Sequence, residues 1–291
     1  MHPLRIKLKD MISVESAGIS DIGRKRESNE DRVFIDDHQG LYLVADGMGG
    51  HQAGEVASSL VVKSICDFLT GPASGPAKSS NSGPLSVEAG RLLAGIEWSN
   101  RVIYEAAAAN DAYRGMGSTV AAVYLADNTV IAANVGDSPI YLIRNDHIDL
   151  LSVPHTLQAD FANETFTALM GNILTRAVGS KDTVDADICE LNAFKGDVLV
   201  ICSDGLSTKV PPAEIMSIAA SQPPGQACRE LVDLANARGG DDNISAVVLR
   251  VTGVRRGAHS VFGKWLGRAR RRLAAILSPL TIGQPLCRPS H

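Results

Sequence analysis

The sequence predicts an α+β fold, on three observations. Short apolar runs rich in β-branched residues recur between turn residues, longer segments carry apolar residues at helical spacing, and no regular strand–helix–strand rhythm joins the two kinds. The first strand candidates are Val33–Asp36 and Leu41–Ala45. In Gln52–Leu69 the residues Ala53, Val56, Ala57, Leu60, Val61, Ile65 and Phe68 recur at i, i+3 and i+4, which makes one apolar helix face. TGPASGPAKSSNSGPL follows, a Gly/Pro/Ser stretch expected to form an exposed, mobile loop. Val87–Asn110 returns to helical spacing and becomes Ala-rich towards its end. Three strand candidates then crowd together: Ser118–Leu125, Thr129–Val135 and Ile140–Ile143. Only Ala126-Asp127-Asn128 and Gly136-Asp137-Ser138-Pro139 separate them, which leaves no room for a crossover helix, so all three are expected to be antiparallel neighbours. Val198–Ser203, a helix over Gly225–Ala237 and a strand over Ile244–Val251 complete the reading. No internal repeat is present.

Composition narrows the function classes. With 45% apolar and 21% charged residues the chain reads as globular, and wholesale disorder is excluded. A formal charge of −4 gives no reason to expect nucleic-acid binding. That total hides an asymmetry: Val254–His291 holds eight basic residues and no acid, so the rest of the chain carries −12. The domain reading is therefore a body over 1–253 and a basic tail over 254–291. Read as a helix, the tail places Phe262, Trp265, Leu266, Ala269, Leu273 and Ile276 on one face and Arg268, Arg271 and Arg272 on the other. Such a helix suits a membrane surface or an acidic partner, while Pro279 and Pro285 cut the pattern short and also suit a solvated tail. Five scattered cysteines form no CxxC pair, MHPLRIKLKD lacks the apolar run of a signal peptide, and no stretch reaches the ~18 apolar residues of a membrane span. The expected location is cytoplasmic.

Four aspartates share one setting, each at the end of an apolar run beside Gly or a small polar residue. They are Asp46 in LYLVADGMGGH, Asp137 in AANVGDSP, Asp204 in VLVICSDGL and Asp242 in RGGDDNISAVV. Carboxylates at the ends of apolar strands are costly unless they meet a cation, donors or water. Hard oxygen ligands without a Cys or His cluster suit Mg²⁺ or Mn²⁺ rather than Zn²⁺. Taken singly, each Asp also suits a plain turn former.

The ordered set SDIGRKRESNED, ADGMGGHQAGEVAS, GMGST, VGDS, CSDGL and GGDDN, spread between residues 20 and 243, resembles the PPM family, the metal-dependent serine/threonine protein phosphatases of type 2C, in its bacterial form. The resemblance implies a β-sandwich of two antiparallel sheets flanked by helices, a four-layer α-β-β-α arrangement, with metals at one edge. It implies two Mn²⁺ or Mg²⁺ ions and a third, weaker one. By position, Asp46 would bridge the first two ions and the Gly47 carbonyl would complete the second. Asp204 and Asp242 would bind the first, Asp242 being chosen over Asp241 because it precedes Asn243. Glu30 and Asp31 would hold water around the second ion, Arg26 would clamp phosphate, and Asp137 with Asp204 would match the third-ion position.

The chemistry of the residues suits those roles. A phosphoserine monoester is nearly dianionic, and divalent ions would offset that charge and lower the pKa of an attacking water. Arg26 offers a fork of donors to phosphate oxygens that Lys lacks. Cys202 precedes Ser-Asp-Gly, not a Cys-x₅-Arg phosphate loop, which disfavours a phosphocysteine route.

The sequence also departs from the family. Met48 stands where many eukaryotic members have a His proposed as general acid, and Met donates no proton. His51 lies nearby as an alternative acid or a structural residue. Pro139 replaces the usual Arg after GDS, and VPHTLQADFANETF matches the bacterial flap only loosely, which bears on substrate choice and the third ion.

The expected function is hydrolysis of phosphoserine and phosphothreonine in phosphoproteins of a cognate kinase, by a monomer that binds no nucleic acid. The alternatives are a non-catalytic phosphoprotein-binding regulator of the same fold, disfavoured by the intact aspartates, and a small-metabolite phosphatase.

Overall fold

A computed structural model describes residues 12–49, 53–71, 85–161, 170 and 173–254. The tail, His51 and most of the 70–85 loop lie outside the described residues. In chain order the elements are β1 (Ile12–Asp21), β2 (Asp31–Asp36), β3 (Leu41–Met48), α1 (Ala53–Thr70), α2 (Val87–Ala109), β4 (Gly117–Ser118), β5 (Val120–Ala126), β6 (Thr129–Val135), β7 (Ile140–Arg144), β8 (His147–Leu150), α3 (Leu157–Asp160), β9 (Asp187–Asn192), β10 (Val198–Cys202), α4 (Asp204–Ser207), α5 (Pro212–Ser221), α6 (Pro224–Ala237) and β11 (Ile244–Val254).

Two antiparallel sheets form, ordered β1-β11-β10-β7-β8 and β2-β3-β5-β6-β9, with β4 paired to β3. The run LYLVA explains why the sheets stack. Because side chains alternate along a strand, Tyr42 and Val44 face Leu142, Leu199, Ile201 and Val247 of the other sheet, while Leu41, Leu43 and Ala45 face α1 and α2. A strand covered on both sides must be apolar throughout, which is what the sequence shows. Val61, Ile65, Leu92 and Ile96 of the helices fill the outer layer. On the opposite side Leu231 and Ala235 of α6 and Ile215 of α5 cover Val200 and Val248. The order is helix, sheet, sheet, helix. Among the described residues no helix is long and apolar enough to cross a membrane.

One expectation is corrected. β5 and β6 form the expected hairpin, but β6 and β7 lie in different sheets rather than side by side. Gly136-Asp137-Ser138-Pro139 carries the chain across the sandwich instead of closing a turn. Gly136 has φ +99°, its N–H and carbonyl are both taken by His155, Pro139 has no N–H to give, and the Ile140 N–H goes to Ser152 Oγ at 3.0 Å. The backbone groups that a hairpin would pair are satisfied by residues 152–155. The expected strand Ser118–Leu125 is likewise broken at Thr119, whose N–H donates to the Asp46 carbonyl at 2.8 Å.

β1, β8, β9 and α5 are elements that the apolar pattern did not signal. β1 holds only four apolar side chains in ten residues and owes its order to full-length pairing with β11. That register sets Asp21 opposite Ile244, so both strands end beside Asp242. Antiparallel pairing therefore brings the ends of β3, β6 and β10 and the starts of β2 and β11 to one edge of the sandwich.

Candidate active site

Asp46 is fixed through its backbone. Its N–H donates to Thr119 Oγ1 at 3.0 Å, and its carbonyl accepts the Thr119 N–H and, at 3.0 Å, the Ser118 hydroxyl. Across the sheet its register partner is Asp31. Gly47 is buried, and a Cβ there would lie 2.0 Å from the Gly54 carbonyl oxygen, so only glycine fits. A Cβ on Gly54 would meet Glu30 Oε2 at 2.3 Å. The two glycines leave room for the Glu30 carboxylate where β3 meets the start of α1.

Asp204 opens α4 directly after β10. Ser203 before it donates from Oγ to Asp31 Oδ2 at 2.7 Å and accepts the Ser245 N–H at 3.0 Å, which ties β10, β2 and β11 together. Asp242 accepts the Asn243 N–H at 2.8 Å on Oδ1 and Arg26 Nη2 at 2.7 Å on Oδ2. Asn243 accepts the Glu30 N–H and donates to the Ile22 and Ser28 carbonyls, clipping the loop that carries Arg26 onto the site. Asp241 turns away, exposed and paired with Lys209 and Lys25. Asp137 stands at the crossing between the sheets, where Ser138 Oγ lies 2.7 Å from Thr119 Oγ1.

Electrostatics shows that these groups share one environment. Burial, then Asp31, Asp204, Asp242 and Asp137, push the Asp46 carboxyl well above its ordinary range. Burial lifts Asp31 to about 6 against the hydrogen bonds from Ser245 and Ser203, with Asp204 and Asp242 adding to the rise. Burial and Asp204 lift Asp137 to about 7. Asp204 is raised by burial and Asp242, opposed by a hydrogen bond with Asp46 and by Arg26. Burial also raises Glu30. Arg26 is raised in turn, chiefly by its bond to Asp242.

A cation suits this donor set. Asp204 Oδ1 and Asp31 Oδ1 are buried with no hydrogen-bond partner, a costly state that ligation or bound water would relieve. Among the described residues no three acidic, imidazole or thiol groups already stand close enough to enclose one ion. Arg26 holds Asp242 in an ion pair at 2.7 Å.

Met48 ends β3 with its Cε against Gly117, so no proton donor stands at that position. Thr119, Ser203, Asn243 and His155 were not singled out from the sequence. The first three lie in or beside GMGST, CSDGL and GGDDN, so adjacency to the aspartates was the available signal.

The chain matches the family model for protein phosphatase 2C over residues 21–246. The serine/threonine phosphatase stp of Listeria innocua is 34% identical over 246 residues, covering 79% of this chain and 93% of that protein. The structure of PppA, a key regulatory component of the T6SS in Pseudomonas aeruginosa, superposes with a TM-score of 0.72 at 30% identity, over 83% of this chain and 100% of that one. The catalytic domain of the serine/threonine protein phosphatase PstP in complex with two manganese ions superposes with a TM-score of 0.70 at 30% identity, over 82% of this chain and 98% of that one. The chain belongs to the protein phosphatase 2C family, the metal-dependent serine/threonine protein phosphatases.

Proposed function

We propose that Asp46, the Gly47 carbonyl, Asp204 and Asp242 hold two divalent ions, Mn²⁺ or Mg²⁺, and that the enzyme uses them to hydrolyse phosphoserine and phosphothreonine in proteins phosphorylated by a cognate kinase. The observation that supports this reading is the gathering of five carboxylates at one sandwich edge, each of Asp31, Asp46, Asp137 and Asp204 raised first by burial and then by acidic neighbours. When bound, the ions lower the pKa of the attacking water and offset the charge of the phosphate dianion.

The protein's own groups do the rest. Asp46 would be the carboxylate common to both ions, while Glu30 and Asp31 would hold water beside them. Arg26, half-exposed and bonded to Asp242, would offer its fork of donors to phosphate oxygens. With Met48 unable to donate, the departing serine or threonine oxygen takes its proton from water. Asp137 and Asp204 would hold a third, weaker ion between them. The chain acts as a cytoplasmic monomer, and its basic tail is either solvated or available to a membrane surface or an acidic partner.

The test is phosphate release from phosphothreonine, phosphoserine and phosphotyrosine peptides and from sugar phosphates, with Mn²⁺, Mg²⁺, Zn²⁺ or EDTA. Turnover of phosphothreonine and phosphoserine peptides with Mn²⁺ or Mg²⁺, none with EDTA, and little with Zn²⁺ or sugar phosphates supports the reading. Preference for sugar phosphates indicates a metabolite phosphatase, peptide binding without turnover indicates a regulator, and full turnover in EDTA removes the metal mechanism.

A further inference from the structure

The crossing that carries Asp137 is braced from behind by a buried imidazole. His155 is fully buried and exchanges two bonds with Gly136: its backbone N–H donates to the Gly136 carbonyl at 3.1 Å, and its Nδ1 accepts the Gly136 N–H at 3.0 Å. A ring nitrogen that accepts a backbone N–H carries no proton, so the proton of the neutral ring sits on Nε2. Nε2 lies 2.6 Å from Asp187 Oδ2, and Arg176 Nη1 reaches the same oxygen at 3.0 Å. Asp187 thereby selects the tautomer that receives Gly136, and Arg176 balances its buried charge.

The brace is itself anchored. Asp187 begins β9 opposite Asn134 of β6. Asn134 donates to the Val153 carbonyl at 2.7 Å and accepts the Val153 N–H at 3.0 Å, which locks residues 153–155 to the end of β6. On the far side of Asp137, Ser138 bonds Thr119, and Thr119 receives the Asp46 N–H. Asp137 is held between one anchor that leads to Asp46 and another that ends in His155.

We propose that His155, oriented by Asp187 and Arg176, is a positioning residue that sets where the Asp137 carboxylate stands relative to Asp204, and so governs the affinity for the third, weaker ion. The proposal rests on the reading above that Asp137 and Asp204 share that ion. His155 is shielded from solvent, so it acts through the Gly136-Asp137 backbone and not on substrate. Asp187→Asn keeps the shape but lets an amide N–H face Nε2. The ring proton then moves to Nδ1, where it opposes the Gly136 N–H.

Calorimetric titration of Mn²⁺ into the full chain tests this, with thermal melts as the check on folding. Asp187→Asn and His155→Ala are expected to keep the two tighter ions and weaken the third by about 10-fold or more, the range for partners one shell behind a ligand. Adding Asp137→Asn to Asp187→Asn should cost less than Asp137→Asn costs in the wild type, because the two act on the same ion. His155→Asn, whose amide oxygen can replace Nδ1 as acceptor, should restore most of the affinity. A wild-type isotherm in folded Asp187→Asn and His155→Ala, while Asp137→Asn loses the weak event, overturns the positioning role and leaves the role of Asp137 intact. A wild-type isotherm in Asp137→Asn overturns the underlying reading and this proposal with it. Unfolding of both Asp187→Asn and His155→Ala, or loss of the tight ions together with the weak one, also overturns it, because the brace would then serve the fold alone.

Discussion

Burial and four other aspartates act together on the Asp46 carboxyl. Asp46→Asn keeps the side-chain volume and removes the charge that, under the proposed function, would hold two cations together. Its kcat on a phosphothreonine peptide should fall by at least about 10³-fold, or roughly 4 kcal/mol of barrier. Asp242→Asn should behave alike, because it loses both the proposed ligation and the partner of Arg26. Asp137→Asn should reduce turnover of protein substrate more than that of an activated aryl phosphate, whose leaving group needs no proton. Equal losses on the two substrates would count against the proposed third ion helping the water that protonates the departing oxygen. These aspartates were legible because each follows an apolar run and precedes a small residue. Ser203 and Asn243 were legible only as neighbours of an aspartate, since their partners Asp31, Ile22 and Ser28 lie far away in sequence.

Three junctions set the site among the elements: β3 into α1, β10 into α4, and the start of β11. At the second, a Cβ on Gly205 would stand 2.0 Å from the Asn243 carbonyl oxygen and 3.3 Å from Asp242 Cβ. Gly205→Ala should push α4 off β11, separate Asp204 from Asp242, and cost roughly 3 kcal/mol in a urea titration. Retention of both stability and turnover would mean that the junction is looser than this contact allows. Most strands were readable because burial on both faces makes them continuously apolar, as in Leu41–Ala45. The β6–β7 crossing was not, because its short Gly-Asp-Ser-Pro link reads as a hairpin turn, and what opens it is His155 and Ser152, which lie later in the chain. β1 was hidden for a related reason, as its order comes from pairing with β11 rather than from its own pattern.

At the scale of the whole molecule, the acidic edge links stability to pH and metal. Asp31 and Asp137 titrate near 6 and 7 in the metal-free fold, above the ordinary 3.8. Between about pH 4 and pH 7 the folded state therefore binds more protons than the unfolded chain, and this contribution falls as pH rises through that window. Asp137 is half-charged near pH 7, so the contribution of these two groups is fully lost only above about pH 8. Metal-free Asp137→Asn should thus melt above the metal-free wild type at pH 7.5, with the gap closing at pH 5. Mn²⁺ should raise the melting temperature of the wild type more at pH 7.5 than at pH 5. A gap independent of pH would place Asp137 outside the shared acidic environment. For the tail, removing residues 255–291 leaves β11 complete and should leave peptide hydrolysis unchanged. The same truncation should abolish salt-sensitive binding to anionic vesicles. Loss of hydrolysis in a folded truncation would show that the tail contributes to the site.

The central claim is that the aspartates at this edge hold the divalent ions that perform the hydrolysis, and the stoichiometry of tight Mn²⁺ binding tests it most directly. Equilibrium titration at neutral pH should find two tight ions in the wild type and at most one in Asp46→Asn, with Asp149→Asn on β8 indistinguishable from the wild type. Two tight ions retained in Asp46→Asn, or equal losses in Asp46→Asn and Asp149→Asn, would contradict the assignment.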